Sequence, residues 1–145
     1  MKLSTKGRYG TRIMLDIALN EDKGPVLLRD IAKRQEISEK YLGNLVTLLR
    51  NSGLLKSRRG SKGGYSLGRP SNDINLHDIL SCLEGDPCLV DCVADPKECD
   101  RAAGCVSRQM WGAISGGIRD MMRAITLQSL VEKQKNMSGN LDYNI

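Results

Sequence analysis

Cys92, Cys99 and Cys105 lie in one stretch, with six residues between the first two and five between the last two. These gaps are wider than the paired C-x-x-C of most structural zinc sites. Wide gaps suit an inorganic cluster wrapped by a pliant loop. Thiolates are the usual ligands of iron–sulfur clusters, some of which accept a fourth ligand that is not a thiolate. Unliganded or redox-active thiols and a structural zinc site are the competing readings. For the fourth ligand the sequence leaves several candidates open: Cys88, the carboxylates Asp91, Glu98 and Asp100, His77, or a group from a second subunit. An exposed polar role is the plainer expectation for His77, and Cys82, three residues after Ile79, reads as a small buried apolar side chain. A thiol-redox enzyme would need an activated nucleophile, and neither a C-x-x-C nor a Cys–His arrangement supplies one.

A second constellation is basic. Fifteen of the 22 Lys and Arg residues but only six of the 17 Asp and Glu residues fall within residues 1–70, so the net charge of +5 is concentrated in the amino-terminal half. That asymmetry is the electrostatic footprint of a polyanion partner. Within it, Ser38, Lys40, Tyr41, Gly43 and Asn44 occupy the first turns of a helix, where a helix lying in a major groove presents side chains to base edges. Lys40 can donate to guanine and Asn44 can pair bidentately with adenine, while Ser38 and Tyr41 suit phosphates. Tyr41 has a second reading as a half-buried core residue beside Leu45. Arg58, Arg59 and Lys62 lie among Gly60, Gly63 and Gly64, at a tip that can reach a minor groove or a phosphate. Neither a G-x-G-x-x-G nor a Walker pattern makes this tip a nucleotide loop.

The elements that must carry these residues follow from apolar spacing. Ser4 or Thr5 caps a first helix through Tyr9, Ile13 and Ile17, which ends at the polar turn Asn20–Gly24. Leu28, Ile31 and Ala32 mark a short second helix to about Arg34, and Gln35, Glu36 and Ile37 form a turn. Ser38 then caps a third helix along Leu42, Leu45 and Leu49, which Gly53 terminates. Residues 28–52 therefore predict a helix-turn-helix. Residues 54–57 and 64–67 predict two strands of a hairpin, so that residues 54–68 form a wing. Asn75 caps a fourth helix stopped by Gly85, and Pro87 and Pro96 keep a cysteine loop over residues 86–105 irregular. Over residues 104–125, Val106, Met110, Ala113 or Ile114, Ile118, Met121 or Met122 and Ile125 recur at helical intervals.

Such a stripe lacks enough partners in one 145-residue chain, which predicts packing against a twofold mate, with Gly112, Gly116 and Gly117 allowing close approach. Residues 132–145 read as a flexible tail. The fold class expected is mainly α, a winged helix-turn-helix with a long dimerisation helix. Aromatics make up 3% of the chain and Phe is absent, so platforms for stacking single-stranded bases are lacking and duplex DNA is the expected nucleic acid. No stretch approaches the roughly 20 apolar residues that span a bilayer, and no leader-like run opens the chain, so the expected location is the cytoplasm, with no membrane partner. In that reducing compartment five cysteines are more readily thiols or metal ligands than a disulfide framework.

Several motifs occur in order: Leu3–Tyr9, Ile37–Ser38, Tyr41–Leu42, Arg59–Gly60, Gly63–Gly68, the three cysteines, Trp111 and Ile125–Leu127. Together they resemble the Rrf-type winged-helix regulators, in particular the branch that controls iron–sulfur cluster assembly, over roughly residues 1–131. The resemblance implies a homodimeric repressor or dual regulator with a 2Fe-2S cluster on Cys92, Cys99 and Cys105. Two positions depart from the familiar pattern. Arg108 stands where those regulators carry a histidine ligand three residues after the last cysteine, and Gly43 stands where they carry an acidic residue, beside Asn44 in place of a glutamine. The first departure implies a different fourth ligand or none. The second implies blunted discrimination between the DNA sites of the cluster-bound and cluster-free forms. Within the same fold, a regulator of cysteine metabolism or of a redox or nitric-oxide response is the alternative.

Overall fold

The computed structural model describes residues 2–143. Helix α1 spans Thr5–Leu19, and Ser4 caps it by accepting a hydrogen bond from the Gly7 amide at 3.4 Å. Its inner face buries Ile13, Met14 and Ile17 completely. A single 3-10 turn, Glu21–Lys23, leads through Gly24 to α2, Leu28–Gln35. Helix α3, Glu39–Asn51, follows at once, with the Ser38 hydroxyl accepting from the Tyr41 amide. Between α2 and α3 the chain reverses on Glu36, whose φ of 55° and ψ of 45° lie in the left-handed region that only glycine and a few polar residues visit cheaply.

Strands β1, Leu55–Arg58, and β2, Gly64–Leu67, pair antiparallel in the register Leu55 to Leu67 and Arg58 to Gly64. The ladder starts one residue later than the hydrophobic pattern predicts, because the Leu54 amide still donates to the Leu49 carbonyl at 3.0 Å and closes α3. The hairpin is anchored to the segment before α2: Val26 and Tyr65 exchange both backbone hydrogen bonds at 2.8 Å. Gly64, at φ 138°, is required there, since a Cβ would run into the Val26 carbonyl.

Helix α4, Leu76–Glu84, begins with a reciprocal capping box between Asn75 and Asp78. The core lies between α1, α3 and α4 and closes under the wing: Leu42, Leu45, Val46, Leu49, Leu55, Ile74 and Ile79 are all fully or almost fully buried. Ile, Leu, Val, Ala and Met fill it, with Tyr9, Tyr41 and Tyr65 packed at its edge.

The cysteine loop is a chain of single turns: α5, Asp91–Ala94, then the 3-10 turns Pro96–Glu98 and Ala102–Gly104. Helix α6 then runs from Val106 to Ala124. A break of two residues precedes α7, Leu127–Tyr143, and is pinned to the start of α4 by Leu76 donating to Ile125 and Leu127 donating to Ile74. The flexible tail expected over residues 132–145 is corrected here: through Tyr143 the chain is helical, and residues 144–145 lie outside the described residues. The Thr126 hydroxyl caps the first turn by accepting from the Ser129 amide at 3.1 Å, and buried Leu127 and Val131 seat that turn on the body. Residues 132–138 contain neither Pro nor Gly, so a helix nucleated by packing propagates through them. The architecture is mainly helical, with one two-stranded wing.

Candidate nucleic-acid interface and cysteine segment

The hydroxyl of Ser38 is committed to the α3 cap, while Lys40 and Asn44 extend from the next turn with exposed side chains. Gly43 is half-buried against Leu28, leaving a flat step between them. Tyr41 does not project freely. Its ring meets Tyr9 of α1 edge to face, with centroids 6.0 Å apart and an interplanar angle of 78°, and it packs on the core. Tyr41 is thus half-buried beside the core, as its second reading expects, with part of the ring left exposed.

At the wing, Arg58, Arg59 and Lys62 are exposed around Gly60, whose φ is 108°. Arg58 and Arg59 line one groove with Leu27 and Leu28 at the start of α2 and with Arg50 near the end of α3. Sequence reasoning did not single out Arg50. Its signal was a cation at an exposed position in the last turn of the third helix. The cationic wing and the third helix therefore share one rim of the molecule.

The three cysteines are all free and half-buried. Cys92 lies in α5, Cys99 follows the turn Pro96–Glu98, and Cys105 is the N-cap of α6, its sulfur accepting from the Arg108 amide at 3.4 Å. Arg108 reaches back across the segment and donates its Nε–H to the Cys92 carbonyl at 2.7 Å. Arg108 thus links the elements that carry Cys92 and Cys105. Among the described residues, no three His, Cys, Asp or Glu side chains converge as a metal site. Three thiols fit three positions of an iron–sulfur cluster by ligand type. The guanidinium has no lone pair to give and cannot fill the fourth.

Two candidates for that position are committed elsewhere. The Cys88 thiol donates to the Val90 carbonyl, and the next residue, Leu89, donates its amide to Ser115, seven residues along α6 from Arg108 and thus about 10 Å away. His77 Nε2 lies 2.9 Å from Asp86 Oδ1 and 3.2 Å from the Ser81 hydroxyl. Because a carboxylate only accepts, Nε2 carries the proton. Arg119 of α6 donates to the other Asp86 oxygen at 2.6 Å, and these hydrogen bonds, that from His77 foremost, hold the Asp86 carboxyl below its usual pKa. Asp91, Glu98 and Asp100 remain exposed beside the thiols. Cys82 is half-buried, and its thiol donates to the Leu48 carbonyl of α3 at 3.4 Å.

Along α6, Val106 is 77% exposed, Met110 48%, Ile114 44% and Met121 64%, with Trp111 beside them. Gly117 completes this i, i+4, i+8, i+11, i+15 stripe with open space over its Cα. Gly112 instead faces Val93 of α5. The side of α6 that meets the body is held by Ser115, its one buried residue. No helix among the described residues is long and apolar enough to cross a membrane.

A family model described as Rrf2, iron-dependent transcriptional regulator, matches residues 3–133. Among curated relatives, protein rrf2 of Nitratidesulfovibrio vulgaris is 40% identical over 90% of this chain and 87% of its own. Among solved structures, CymR, the global cysteine regulator of B. subtilis, superposes with a TM-score of 0.77 at 38% identity, covering 92% of this chain and 98% of that one. The T. potens IscR structure gives 0.75 at 36% identity, covering 92% and 88%. The family model is described as a transcriptional regulator, curated relatives under the names CymR and IscR are named HTH-type transcriptional regulators, and the CymR and IscR structures share the winged helical fold found here. The chain belongs to the Rrf2 family of DNA-binding transcriptional regulators.

Proposed function

We propose that this chain is a homodimeric regulator of iron–sulfur cluster assembly genes, a repressor or dual regulator that responds to a 2Fe-2S cluster on Cys92, Cys99 and Cys105. The observation that carries this reading is the position of Cys105, which is both a cluster-type donor and the N-cap of the helix that bears the exposed apolar stripe. An event at that sulfur acts on the first turn of α6, and α6 reaches α4 through the Arg119–Asp86–His77 chain. Helix α4 packs on α1 and α3. When bound, the cluster would supply negative charge at this helix start and a redox-labile tie between the turns of the loop.

The remaining steps belong to the protein. Lys40 and Asn44 read base edges of duplex DNA, Ser38 and Tyr41 set the first turn of α3 against phosphates, and Arg58, Arg59 and Lys62 enter the neighbouring minor groove or grip its backbone. Val106, Met110, Ile114 and Met121 pack against the same stripe of a second copy, with Gly117 at the crossing. An exposed carboxylate, Asp91, Glu98 or Asp100, completes the ligand set. The work of such a regulator lies in the cytoplasm.

Likeness to CymR favours a second reading, a regulator of cysteine metabolism without a cluster, and so does the occupation of position 108 by a cation bonded to the loop. Anaerobic purification separates the two. Brown protein containing iron and acid-labile sulfide, whose affinity for a duplex changes on cluster loss at fixed salt, supports the first; colourless protein whose DNA affinity is unchanged by iron and sulfide supports the second.

A further inference from the structure

Between the third helix and the rest of the molecule runs a chain of polar and aromatic contacts that the reading of the DNA-facing residues does not use. Tyr41, in the first turn of α3, meets the ring of Tyr9 on α1. One turn along α1, the Arg12 guanidinium lies 5.3 Å from the centre of that same ring. From there it donates twice to one residue at the end of α2: Nε to Gln35 Oε1 at 3.0 Å and Nη2 to the Gln35 carbonyl at 2.8 Å. Gln35 in turn donates to Asp16 Oδ2 at 2.8 Å, and Arg34 grips both oxygens of that carboxylate at 3.0 and 2.7 Å. Asp16 is 3% exposed, so this is its full set of charge partners.

The Gln35 carbonyl is one of the last of α2 and lacks a helical acceptor role, as helix ends require. The next residue, Glu36, adopts the left-handed conformation, and Ser38 opens α3 two residues later. Arg12 therefore holds both sides of the turn, Gln35 before it and, through Tyr9, Tyr41 after it. A planar fork with two parallel donors fixes an angle, which a single ammonium donor does not.

We infer that Arg12 is a positioning residue that sets the angle at which α3 presents Lys40 and Asn44, and so determines specificity without touching a base. The inference rests on α3 being the base-reading helix. Arg12 is exposed, so a direct phosphate contact is the competing role, and the two make opposite demands on a lysine: a phosphate contact keeps its charge, a fork loses its geometry.

The test measures affinity, across a salt series, for a duplex enriched by the wild-type chain from a random-sequence library and for a shuffled duplex of the same composition. The variants are Arg12→Met, Arg12→Lys, Asn44→Ala and Lys40→Ala, each checked for helix content by circular dichroism. Positioning predicts that both Arg12 variants lose about five- to tenfold in the ratio of the two affinities, within the roughly two- to thirtyfold range for residues acting through a packed network. The loss falls on the enriched duplex, and Arg12→Lys leaves shuffled binding and its salt slope at the wild-type values. Should Arg12→Met not fold, Arg12→Lys carries the same readout. The inference is overturned if Arg12→Lys matches the wild type while Arg12→Met weakens both duplexes alike with a salt slope shallower by about one. It is equally overturned if both Arg12 variants keep the wild-type ratio while Asn44→Ala loses it. If Asn44→Ala and Lys40→Ala both keep the ratio, the assignment of α3 itself fails, a result visible apart from the behaviour of Arg12.

Discussion

Arg108 donates its Nε–H to the backbone carbonyl of Cys92 at 2.7 Å, joining the first turn of α6 to the cysteine segment through a side chain that cannot bind metal. The loop is therefore closed by a cation where the pattern of related regulators calls for an imidazole. Two consequences follow. The cluster-free loop has its own tie to α6, and a cluster must hold on with one ligand fewer from this helix. Arg108→His is expected to lengthen the lifetime in air of a reconstituted cluster several-fold, read as decay of visible absorbance. An unchanged or shorter lifetime would show that position 108 does not limit how the cluster is held.

Ile114, 44% exposed, and Gly117, over which the described residues leave open space, lie one turn apart on the exposed α6 stripe. A twofold contact there predicts that Ile114→Arg yields a monomer by sedimentation with helix content unchanged, because a desolvated charge at such a contact costs several kcal/mol. A dimer that persists would remove α6 as the interface.

The Glu84 carboxylate at the end of α4 receives the amides of Ser4, at 2.8 Å, and Gly7, at 3.0 Å, as well as the Ser4 hydroxyl. One acid thus satisfies two amides at the start of α1, and a Cβ at Gly7 would collide with it. Glu84→Ala is expected to lower stability by about 1–2 kcal/mol in denaturant unfolding, the range for loss of a helix cap. Gly7→Ala should destabilise too, despite alanine's better helix propensity.

Hydrogen bonds from His77 and Arg119 hold the Asp86 pKa below its ordinary value, so the folded state favours the ionised form. The sign follows directly: this contribution is fully present above the ordinary carboxylate range and is lost as pH falls through the lowered folded value. Asp86→Asn should therefore flatten the acid limb of a melting-temperature profile and leave its shape above pH ~6 unaltered, since the ordinary Asp pKa is about 3.9. A parallel downward shift at all pH values would deny Asp86 this role.

How far the sequence reveals the fold depends on what each signal encodes. Capping residues and apolar spacing are local, and Ser4, Ser38 and Asn75 each stand at the helix start they predict. Beyond residue 131 the polar composition suggested a tail, yet the helix there begins on two buried residues, Leu127 and Val131, whose partners are distant in sequence. The turn at Gln35, Glu36 and Ile37 is legible between two apolar helical patterns, but the left-handed backbone of Glu36 is not, since neither Gly nor Asn stands there. Arg12 carries no sequence signal of its own, because the Gln35 and Tyr9 contacts that set it apart arise only from packing. The cysteines were legible by type and spacing. Their half-buried scatter over three short turns was not, since the start of that segment is held at Leu89 and Cys92 by Ser115 and Arg108 of α6, which are distant in sequence.

The most direct test of the account is the iron and acid-labile sulfide content of the wild-type chain after anaerobic purification, beside the chain with Cys92, Cys99 and Cys105 all replaced by Ala. The account predicts about two irons and two sulfides per wild-type chain, as a 2Fe-2S cluster requires, and none in a folded, still dimeric triple variant. Wild-type protein that takes up no iron with its thiols reduced, or a triple variant that reconstitutes like the wild type, would contradict it.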